Sequence, residues 1–168
     1  MALDPEAFDD LVRAHTDRMY RVALRLCGDP AEAEDVVQDA WIAAWRGRAS
    51  FRGDAAVSTW LYRVVTNTAM AHLRRRRPTV ALDEVPAGRL TDGRPSPEAW
   101  ALLGERASAV HRAIATLEPS QRVPLVLREL EGMSYEEVAG VLQVSVPVLH
   151  KRLYRARVAL LAKLEELR

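Results

Sequence analysis

Apolar residues recur every three to four positions along residues 8–45, and this spacing predicts two amphipathic helices. The first should end at Gly28, because glycine readily adopts the left-handed conformation that closes a helix. The second begins with Asp29 as the N-cap, Pro30 at the first helical position and Glu32 as the second member of a capping box. It should end near Gly47.

A third helix and a polar connection complete the first half of the chain. The helix should begin at Ser58 or Thr59 and continue to Pro78, whose ring does not fit a helix interior. Residues 47–57, which precede it, form a loop with two glycines. Between residues 78 and 97, four prolines and two glycines interrupt any period, which is typical of a flexible linker.

Every later segment with a clear period is also helical. One helix is expected around residues 107–117 and another around residues 123–130, ending at Gly132. Neither a strand-like alternation nor an internal repeat is visible. The sequence therefore predicts an all-α fold. Two small helical domains, residues 1–77 and 105–168, are joined by a linker at 78–104, and the second contains a helix-turn-helix.

The helix-turn-helix is predicted at residues 134–157. Ser134 and Glu137 form a capping box at the start of its first helix. Ser145 is a good N-cap for the second helix, and Pro147 lies in the first turn, where its missing N–H does no harm.

The second helix of this motif is basic on its outward side. Its apolar period predicts a buried stripe opposite Val148, Lys151, Arg152 and Arg155. An α-helix fits the major groove of B-DNA, where Lys and Arg neutralise phosphates or bind guanine. The alternative is a charged face that only solvates a core helix. The short turn and both caps favour DNA binding.

The third helix predicts a second nucleic-acid surface. It carries Trp60 and Tyr62, ends in four consecutive arginines and follows a loop that contains Phe51 and Arg52. Base-aromatic stacking contributes about 1 to 3 kcal/mol per base, so this combination suits single-stranded or melted nucleic acid. The alternative is a solvated tail. One face of this helix is expected to be exposed. Its residues, at positions i, i+4, i+7 and i+11, are Arg63, Asn67, Met70 and Arg74.

The second helix is acidic by contrast. Its polar surface lies away from or beside the apolar stripe and contains Glu34, Asp35, Gln38, Asp39 and Ile42. These carboxylates can serve solubility and favour the helix dipole near its N-terminus. The functional interpretation is a face that docks on another protein.

Charge is strongly segregated along the chain, although the net charge is only +1. Residues 46–77 contain eight arginines and one acidic residue, whereas residues 78–105 contain two arginines and five acidic residues. Residues 106–168 contain ten basic and seven acidic residues. Two basic blocks are therefore separated by an acidic strip.

Composition excludes several classes of protein. With 49% hydrophobic residues among 168, the chain can bury one good core or two small ones. No apolar run reaches membrane-spanning length and no signal peptide is visible, so we expect a cytoplasmic protein without membrane insertion. The single cysteine, Cys27, excludes an internal disulfide, and the four histidines lack metal-ligand spacing. Because no phosphate loop, nucleophile elbow or carboxylate pair is visible, we expect no enzyme activity, cofactor or metal.

The order of these segments resembles bacterial RNA polymerase sigma factors of the extracytoplasmic-function (ECF) group. In the first half, the resemblance rests on the acidic helix DPAEAEDVVQDAWIAAWR, the loop FRGDAAVS and the helix TWLYRVVTNTAMAHLRRRR. In the second half, it rests on LEPSQRVPLVLRELEGMSYEEVAGVLQVS and LHKRLYRARVAL. The two blocks have the expected order and separation, and they cover nearly the whole chain apart from the linker.

The resemblance implies a sigma factor that binds core RNA polymerase and directs promoter-specific initiation without covalent chemistry of its own. Docking on the clamp of the largest polymerase subunit would involve Glu34, Asp35, Gln38, Asp39, Ile42 and Trp45. Minus-10 DNA binding, with capture of a flipped base, would involve Phe51, Arg52, Ser58, Thr59, Trp60, Arg63, Asn67, Met70, Arg74, Arg75, Arg76 and Arg77. Minus-35 DNA binding would involve Ser145, Pro147, Val148, His150, Lys151, Arg152, Tyr154, Arg155 and Arg157.

The resemblance also implies partners beyond promoter DNA. These are the flap of the second-largest polymerase subunit and an anti-sigma factor, with the linker directed towards the polymerase active site and RNA exit channel. The chain departs from the family pattern at Pro147 and Val148, where glycine and threonine are usual, and at Pro124, where an aliphatic residue is usual. The alternative function is a stand-alone helix-turn-helix transcriptional regulator, which would leave the acidic helix and acidic linker without a joint explanation.

Overall fold

Seven α-helices form the described part of the chain. The structure is a computed structural model that describes residues 3–53, 56–76 and 105–166. The helices are α1 (Pro5–Cys27), α2 (Pro30–Gly47), α3 (Val57–Arg76), α4 (Glu105–Ala115), α5 (Pro119–Leu125), α6 (Tyr135–Leu142) and α7 (Val146–Glu166). A 3-10 turn, Arg48–Ser50, follows α2, and a π-helical turn, Val126–Leu130, continues α5. These ranges contain no strand, and the prediction of an all-α fold is confirmed. The predicted linker lies outside the described residues.

The ends of the first two helices follow the sequence, with one exception. Gly28, at a φ of 74°, closes α1 in the left-handed conformation. The Asp29 carboxylate then caps α2 by accepting a hydrogen bond from the Ala31 N–H at 3.2 Å. Glu32 was predicted to complete a capping box. Its carboxylate instead pairs with the guanidinium of Arg76, because α3 passes beside the start of α2.

The predicted helix-turn-helix is formed by α6 and α7. Ser134 and Glu137 make the reciprocal capping box, with both hydrogen bonds at 3.1 Å. The Ser145 hydroxyl accepts a hydrogen bond from the Val148 N–H at 3.3 Å at the start of α7. Between the helices, Gln143 has a φ of 55°. A non-glycine residue in this conformation costs roughly 1 to 2 kcal/mol, which the packing of the two helices offsets.

The wide turn after α5 follows a proline in the helix. Pro124 lacks the N–H that would bond to the preceding turn. Downstream, the Glu131 N–H donates to the Val126 carbonyl at 3.0 Å, a spacing of five residues instead of four. At the end of this turn, the carbonyl of Leu130 and the carboxylate of Glu131 both accept hydrogen bonds from Arg25 of α1.

The buried residues of the two halves form one continuous hydrophobic cluster. Leu26 and Leu61 contribute to it from the first half, and Leu127, Leu149 and Leu153 contribute from the second. The two predicted domains are therefore in direct contact. In the described ranges, no helix combines the length and hydrophobicity needed to cross a bilayer.

Candidate nucleic-acid and polymerase interfaces

The outward side of α7 is an exposed basic surface. Leu149, Leu153 and Ala156 point into the core and are fully buried. Exposed on the helix and its N-cap are all nine candidates for minus-35 binding: Ser145, Pro147, Val148, His150, Lys151, Arg152, Tyr154, Arg155 and Arg157. Burial of one stripe and exposure of the rest follow from the 3.6-residue period of the helix.

Neighbouring side chains hold two members of this surface in place. The His150 ring packs against the Tyr135 ring with 4.6 Å between centroids. Arg157 donates to a Glu129 carboxylate oxygen at 2.7 Å. Hydrogen bonds from Arg157, and secondarily from Arg128, lower the pKa of Tyr135. These contacts hold α7 against α6 and against the π-helical turn that precedes it.

Three cations of α7 are open to solvent. Within the described residues, Lys151, Arg152 and Arg155 make no ion pair with an acidic side chain. Tyr154 between them is 70% exposed. A helix that places unpaired cations and an exposed aromatic ring on one side can contact phosphates and base edges without breaking internal bonds.

The acidic side of α2 is also exposed. All six candidates for polymerase docking are at the surface: Glu34, Asp35, Gln38, Asp39, Ile42 and Trp45. The Trp45 ring packs edge-on against Phe8, with 5.1 Å between centroids, and the Arg48 guanidinium lies over it at 3.5 Å. Asp39 pairs with His72 of α3 at 2.8 Å. Exposed aromatic side chains such as Trp45 are enriched in protein–protein interfaces.

The exposed face predicted for α3 is correct only in part. Asn67 and Arg74 are exposed, but Arg63 and Met70 are half-buried. The Arg63 guanidinium donates to the Gly140 carbonyl of α6 at 2.8 Å. The prediction of exposure is therefore wrong for Arg63, because the second half of the chain packs over this side of α3. Also half-buried are Ser58, Thr59 and Trp60.

The arginines at the end of α3 have different environments. Arg74 and Arg75 are exposed. Arg76 donates to the Cys27 carbonyl at 3.3 Å and pairs with Glu32, so it links the end of α1 to the start of α2. Its guanidinium is occupied inside the protein and adds nothing to the open basic surface. Arg77 lies outside the described residues.

The loop before α3 places an aromatic pair next to a basic side chain. The rings of Phe51 and Trp60 lie 5.0 Å apart with a 41° angle between their planes. Both are half-buried, whereas Arg52 beside them is exposed. The pair can offer ring surface to an unstacked base, with a cation nearby for its phosphate.

The candidate DNA-binding sides of α3 and α7 open onto the same space. A cleft of about 530 Å³ is lined by Asn67, Met70 and Arg74 from α3 and by Arg152 and Arg155 from α7. Residues predicted to contact two separate DNA elements thus lie across one cleft.

Sequence reasoning missed the residues that join the two halves. Glu131 contacts Arg25, which is 106 residues away, and Tyr62, which is 69 residues away. Arg122 is buried and donates to the Leu26 carbonyl, 96 residues away. No local period relates positions this far apart. The buried Arg122 could have been suspected only from its place among apolar residues at 123–127.

Cys27 is a packing residue, as expected from its apolar surroundings. Its thiol is fully buried. Burial raises the pKa of this thiol to about 11, so it stays protonated at neutral pH. In the described ranges, no group of three or more His, Cys, Asp or Glu side chains could hold a metal ion.

Both halves of the chain match families of sigma-factor domains. Residues 11–79 match Sigma-70 region 2, and residues 107–160 match Sigma-70, region 4. The chain is 39% identical over 165 residues to the RNA polymerase sigma-H factor of Pseudomonas aeruginosa, covering 94% of this chain and 86% of that protein. It is 36% identical over 172 residues to the ECF RNA polymerase sigma-E factor of Escherichia coli strain K12, covering 98% of this chain and 90% of that protein.

Solved structures share the fold over the same extent. CnrH, in complex with the cytosolic domain of CnrY, matches with a TM-score of 0.69 and 28% identity, over 97% of this chain and 90% of that one. The sigma factor RpoE from Bartonella quintana, in complex with the anti-sigma factor NepR, matches with a TM-score of 0.66 over 94% of this chain and 96% of that one. Its identity of 22% shows likeness of fold alone. With two family matches in order and relatives aligned along nearly its whole length, this chain belongs to the ECF group of RNA polymerase sigma factors.

Proposed function

We propose that α2 docks this sigma factor on the clamp of core RNA polymerase, that α3 and the loop before it bind the minus-10 element, and that α7 binds the minus-35 element. Residues 1–77 would form the docking and minus-10 domain, residues 78–104 the linker, and residues 105–168 the minus-35 domain. In these roles the protein would direct promoter-specific initiation of transcription in the cytoplasm.

The open basic side of α7 is the observation that carries the proposal. Three cations point to solvent while the same helix buries its apolar stripe, and no internal acid neutralises them in the described part of the chain. Each phosphate that a cation neutralises releases counterions and steepens the dependence of affinity on salt by nearly one log unit per log unit. Three or four such contacts give a log-log slope of roughly -3 to -4.

The acidic side of α2 supports the docking role. Ile42 is 44% exposed, and such a large apolar side chain among carboxylates is more costly in water than in an interface. Trp45 is already held by Phe8 and Arg48, so little side-chain entropy is lost when a partner covers it. Basic helices are the partners that this charge pattern suits.

The minus-10 role of α3 is supported by its chemistry. Asn67 can form two hydrogen bonds with a base edge, and Arg74 can contact a phosphate. The Phe51 and Trp60 rings offer a stacking surface next to exposed Arg52. Flipping a base out of duplex DNA costs a few kcal/mol, which stacking of this kind offsets.

Two further partners are part of the proposal. The second half of the chain would contact the flap of the second-largest polymerase subunit, and an anti-sigma factor would hold the protein inactive. CnrH was solved with the cytosolic domain of CnrY, and RpoE with the anti-sigma factor NepR. At least one protein of this fold, RpoE, therefore binds an anti-sigma factor.

A reconstitution with core polymerase tests the proposal. The purified chain should co-elute with core polymerase and support transcription from fragments of its own genome. Asp35→Lys should abolish co-elution, whereas Asp17→Lys, an equal charge change at an exposed position on α1, should leave it intact. If the wild-type chain neither co-elutes nor supports transcription, the proposed docking is wrong, and a stand-alone regulator becomes the better interpretation.

A further inference from the structure

We propose that Glu131 is the centre of an intramolecular latch that holds the two halves of the free protein together and covers the DNA-binding side of α3. The latch consists of Glu131 with Arg21, Arg25 and Tyr62. The inference rests on the proposed DNA-binding roles of α3 and α7.

The latch joins three elements at one carboxylate. The Glu131 side chain is only 3% exposed although it lies at the end of a surface turn. Arg25 of α1 pairs with one carboxylate oxygen and also donates to the Leu130 carbonyl at 3.2 Å. Arg21 lies 3.6 Å from the other oxygen, and the Tyr62 hydroxyl of α3 donates to it at 3.4 Å. A carboxylate buried with several donors is a strong electrostatic contact between the halves.

Two other polar contacts reinforce the closed arrangement. Arg63 of α3 donates to the Gly140 carbonyl at 2.8 Å, which replaces a contact with DNA by a contact with α6. The buried Arg122 donates to the Leu26 carbonyl at the end of α1 at 2.6 Å. The three contacts join the second half to both α1 and α3.

The closed arrangement leaves little room for duplex DNA against the covered side of α3. The cleft between α3 and α7 measures about 530 Å³. A second cleft, of about 320 Å³, separates Ser58 and Thr59 from Gly132 and Met133. One turn of duplex is about 34 Å long, so neither cleft can hold it. DNA can therefore reach the half-buried Arg63 and Met70 of α3 only after the halves separate.

The charged groups of the latch can separate without leaving a buried charge unpaired. Arg21 is 51% exposed and Arg25 is 25% exposed, so both guanidinium groups gain water when Glu131 leaves. Neither remains as an unpaired buried charge, which is the usual reason that a broken ion pair unfolds a protein. The acidic side of α2 is exposed in the closed form. Polymerase can therefore dock first, and opening can follow.

Replacement of the central carboxylate tests the latch in the full chain. Glu131→Gln removes the charge while nearly preserving the shape. Glu136→Gln is the matched control, because it makes the same charge change at an exposed position of α6, five residues away. Arg21→Gln, at an exposed position, provides a second latch variant that should fold even if Glu131→Gln does not.

Two readouts follow from the proposal. Spin labels at the exposed positions Ala43→Cys and Ala162→Cys report the distance between the halves, while the buried thiol of Cys27 stays unmodified. Wild type and Glu136→Gln should give one short, narrow distance distribution, and Glu131→Gln a longer, broader one. Affinity for a random-sequence duplex of about three helical turns should rise about fivefold or more in Glu131→Gln but not in Glu136→Gln, because α3 then becomes available to DNA in addition to α7.

The outcomes separate the latch from the proposed function. An unchanged distance distribution in both Glu131→Gln and Arg21→Gln would overturn the latch, whether or not the protein binds polymerase. A longer distance without a gain in affinity would overturn the claim that the latch blocks DNA. Loss of polymerase binding by wild type would refute the docking role and leave the distance measurement interpretable.

Discussion

The two candidate DNA-binding helices, α3 and α7, are similar in sequence character but opposite in environment. Both are amphipathic. A basic cluster lies at the end of α3 and in the first half of α7. On α7 every candidate residue is exposed, and three cations have no acidic partner in the described ranges. On α3, Arg63 and Arg76 are occupied by internal acceptors. A basic helix face can therefore serve as a binding surface only where no other part of the same chain covers it.

Position in the fold explains the difference. α7 packs its apolar stripe on α4 to α6 and leaves its other side to solvent. α3 packs on α1 and α2 with one side, and the second half of the chain packs on its other side. Arg63 and Arg76 of α3 are therefore structural, whereas Arg152 and Arg155 of α7 are available to a ligand.

The largest expected effect concerns a buried arginine compared with an exposed one. Arg122→Met should lower the free energy of unfolding by about 3 kcal/mol, because it removes the donors of three carbonyls at the ends of α1 and α4. Arg155→Met on α7 should change it by less than about 0.5 kcal/mol. Urea denaturation of both variants checks the contrast. Equal losses would show that burial does not distinguish these arginines.

A smaller effect is expected for two neighbours at the end of α3. Arg76→Ala should cost about 1 to 2 kcal/mol, because Glu32 and the Cys27 carbonyl both lose a partner. Arg75→Ala, whose side chain bonds within the described ranges only to the Ala71 carbonyl of its own helix, should cost under about 0.5 kcal/mol. Thermal unfolding of the pair measures the difference. A larger loss in Arg75→Ala would contradict the assignment of Arg76 as the internal residue.

DNA binding by the free protein should depend on the exposed cations of α7 and not on Arg63 of α3. Single replacements of Lys151, Arg152 and Arg155 by alanine should each reduce the log-log salt slope of duplex binding by about 1. Arg63→Ala should leave the slope of the free protein unchanged, because its guanidinium is bonded to Gly140. Anisotropy titrations over a range of salt measure the slopes. A flatter slope in Arg63→Ala would place that residue on DNA in the free protein.

Features set by neighbours in the sequence could be predicted. The capping box of Ser134 and Glu137, the helix end at Gly28 and the buried stripe of α7 depend on positions a few residues apart. The turn at Gln143 was predicted as a break but not as a left-handed residue, because glycine is the usual signal there.

Features set by distant neighbours could not be predicted. Arg75 and Arg76 are identical in type and adjacent in the chain, yet only Arg76 meets the acid at the start of α2. Glu131 has the sequence context of a solvated residue before a glycine turn, and its partners Tyr62 and Arg25 are 69 and 106 residues away. Which side of α3 is covered is a tertiary property, so a single helix period could not reveal it.

The smallest expected effect is a change in the titration of Tyr62. Burial, and next the charge of Glu131, raise the pKa of its phenol above the usual value of about 10. A raised folded pKa means that the neutral phenol favours the closed form. This stabilisation is present below pH of about 10 and is lost as pH rises through the raised pKa.

Tyrosinate absorbance measures this titration. Tyr62→Phe should remove a high-pH component from the wild-type curve, and Glu131→Gln should move that component to lower pH. A Tyr62 component that does not move in Glu131→Gln would place the phenol outside the influence of the carboxylate.

Transcription from a library of randomised promoters with core polymerase tests the division of labour between the two helices most directly. Sequencing the selected templates and the 5′ ends of their transcripts gives the elements that each protein variant requires. The account predicts that Asn67→Ala changes only the element nearest the start site and that Arg152→Ala changes only the element upstream of it. Altered selection of the same element by both variants, or of neither, would contradict the assignment of α3 to minus-10 and α7 to minus-35.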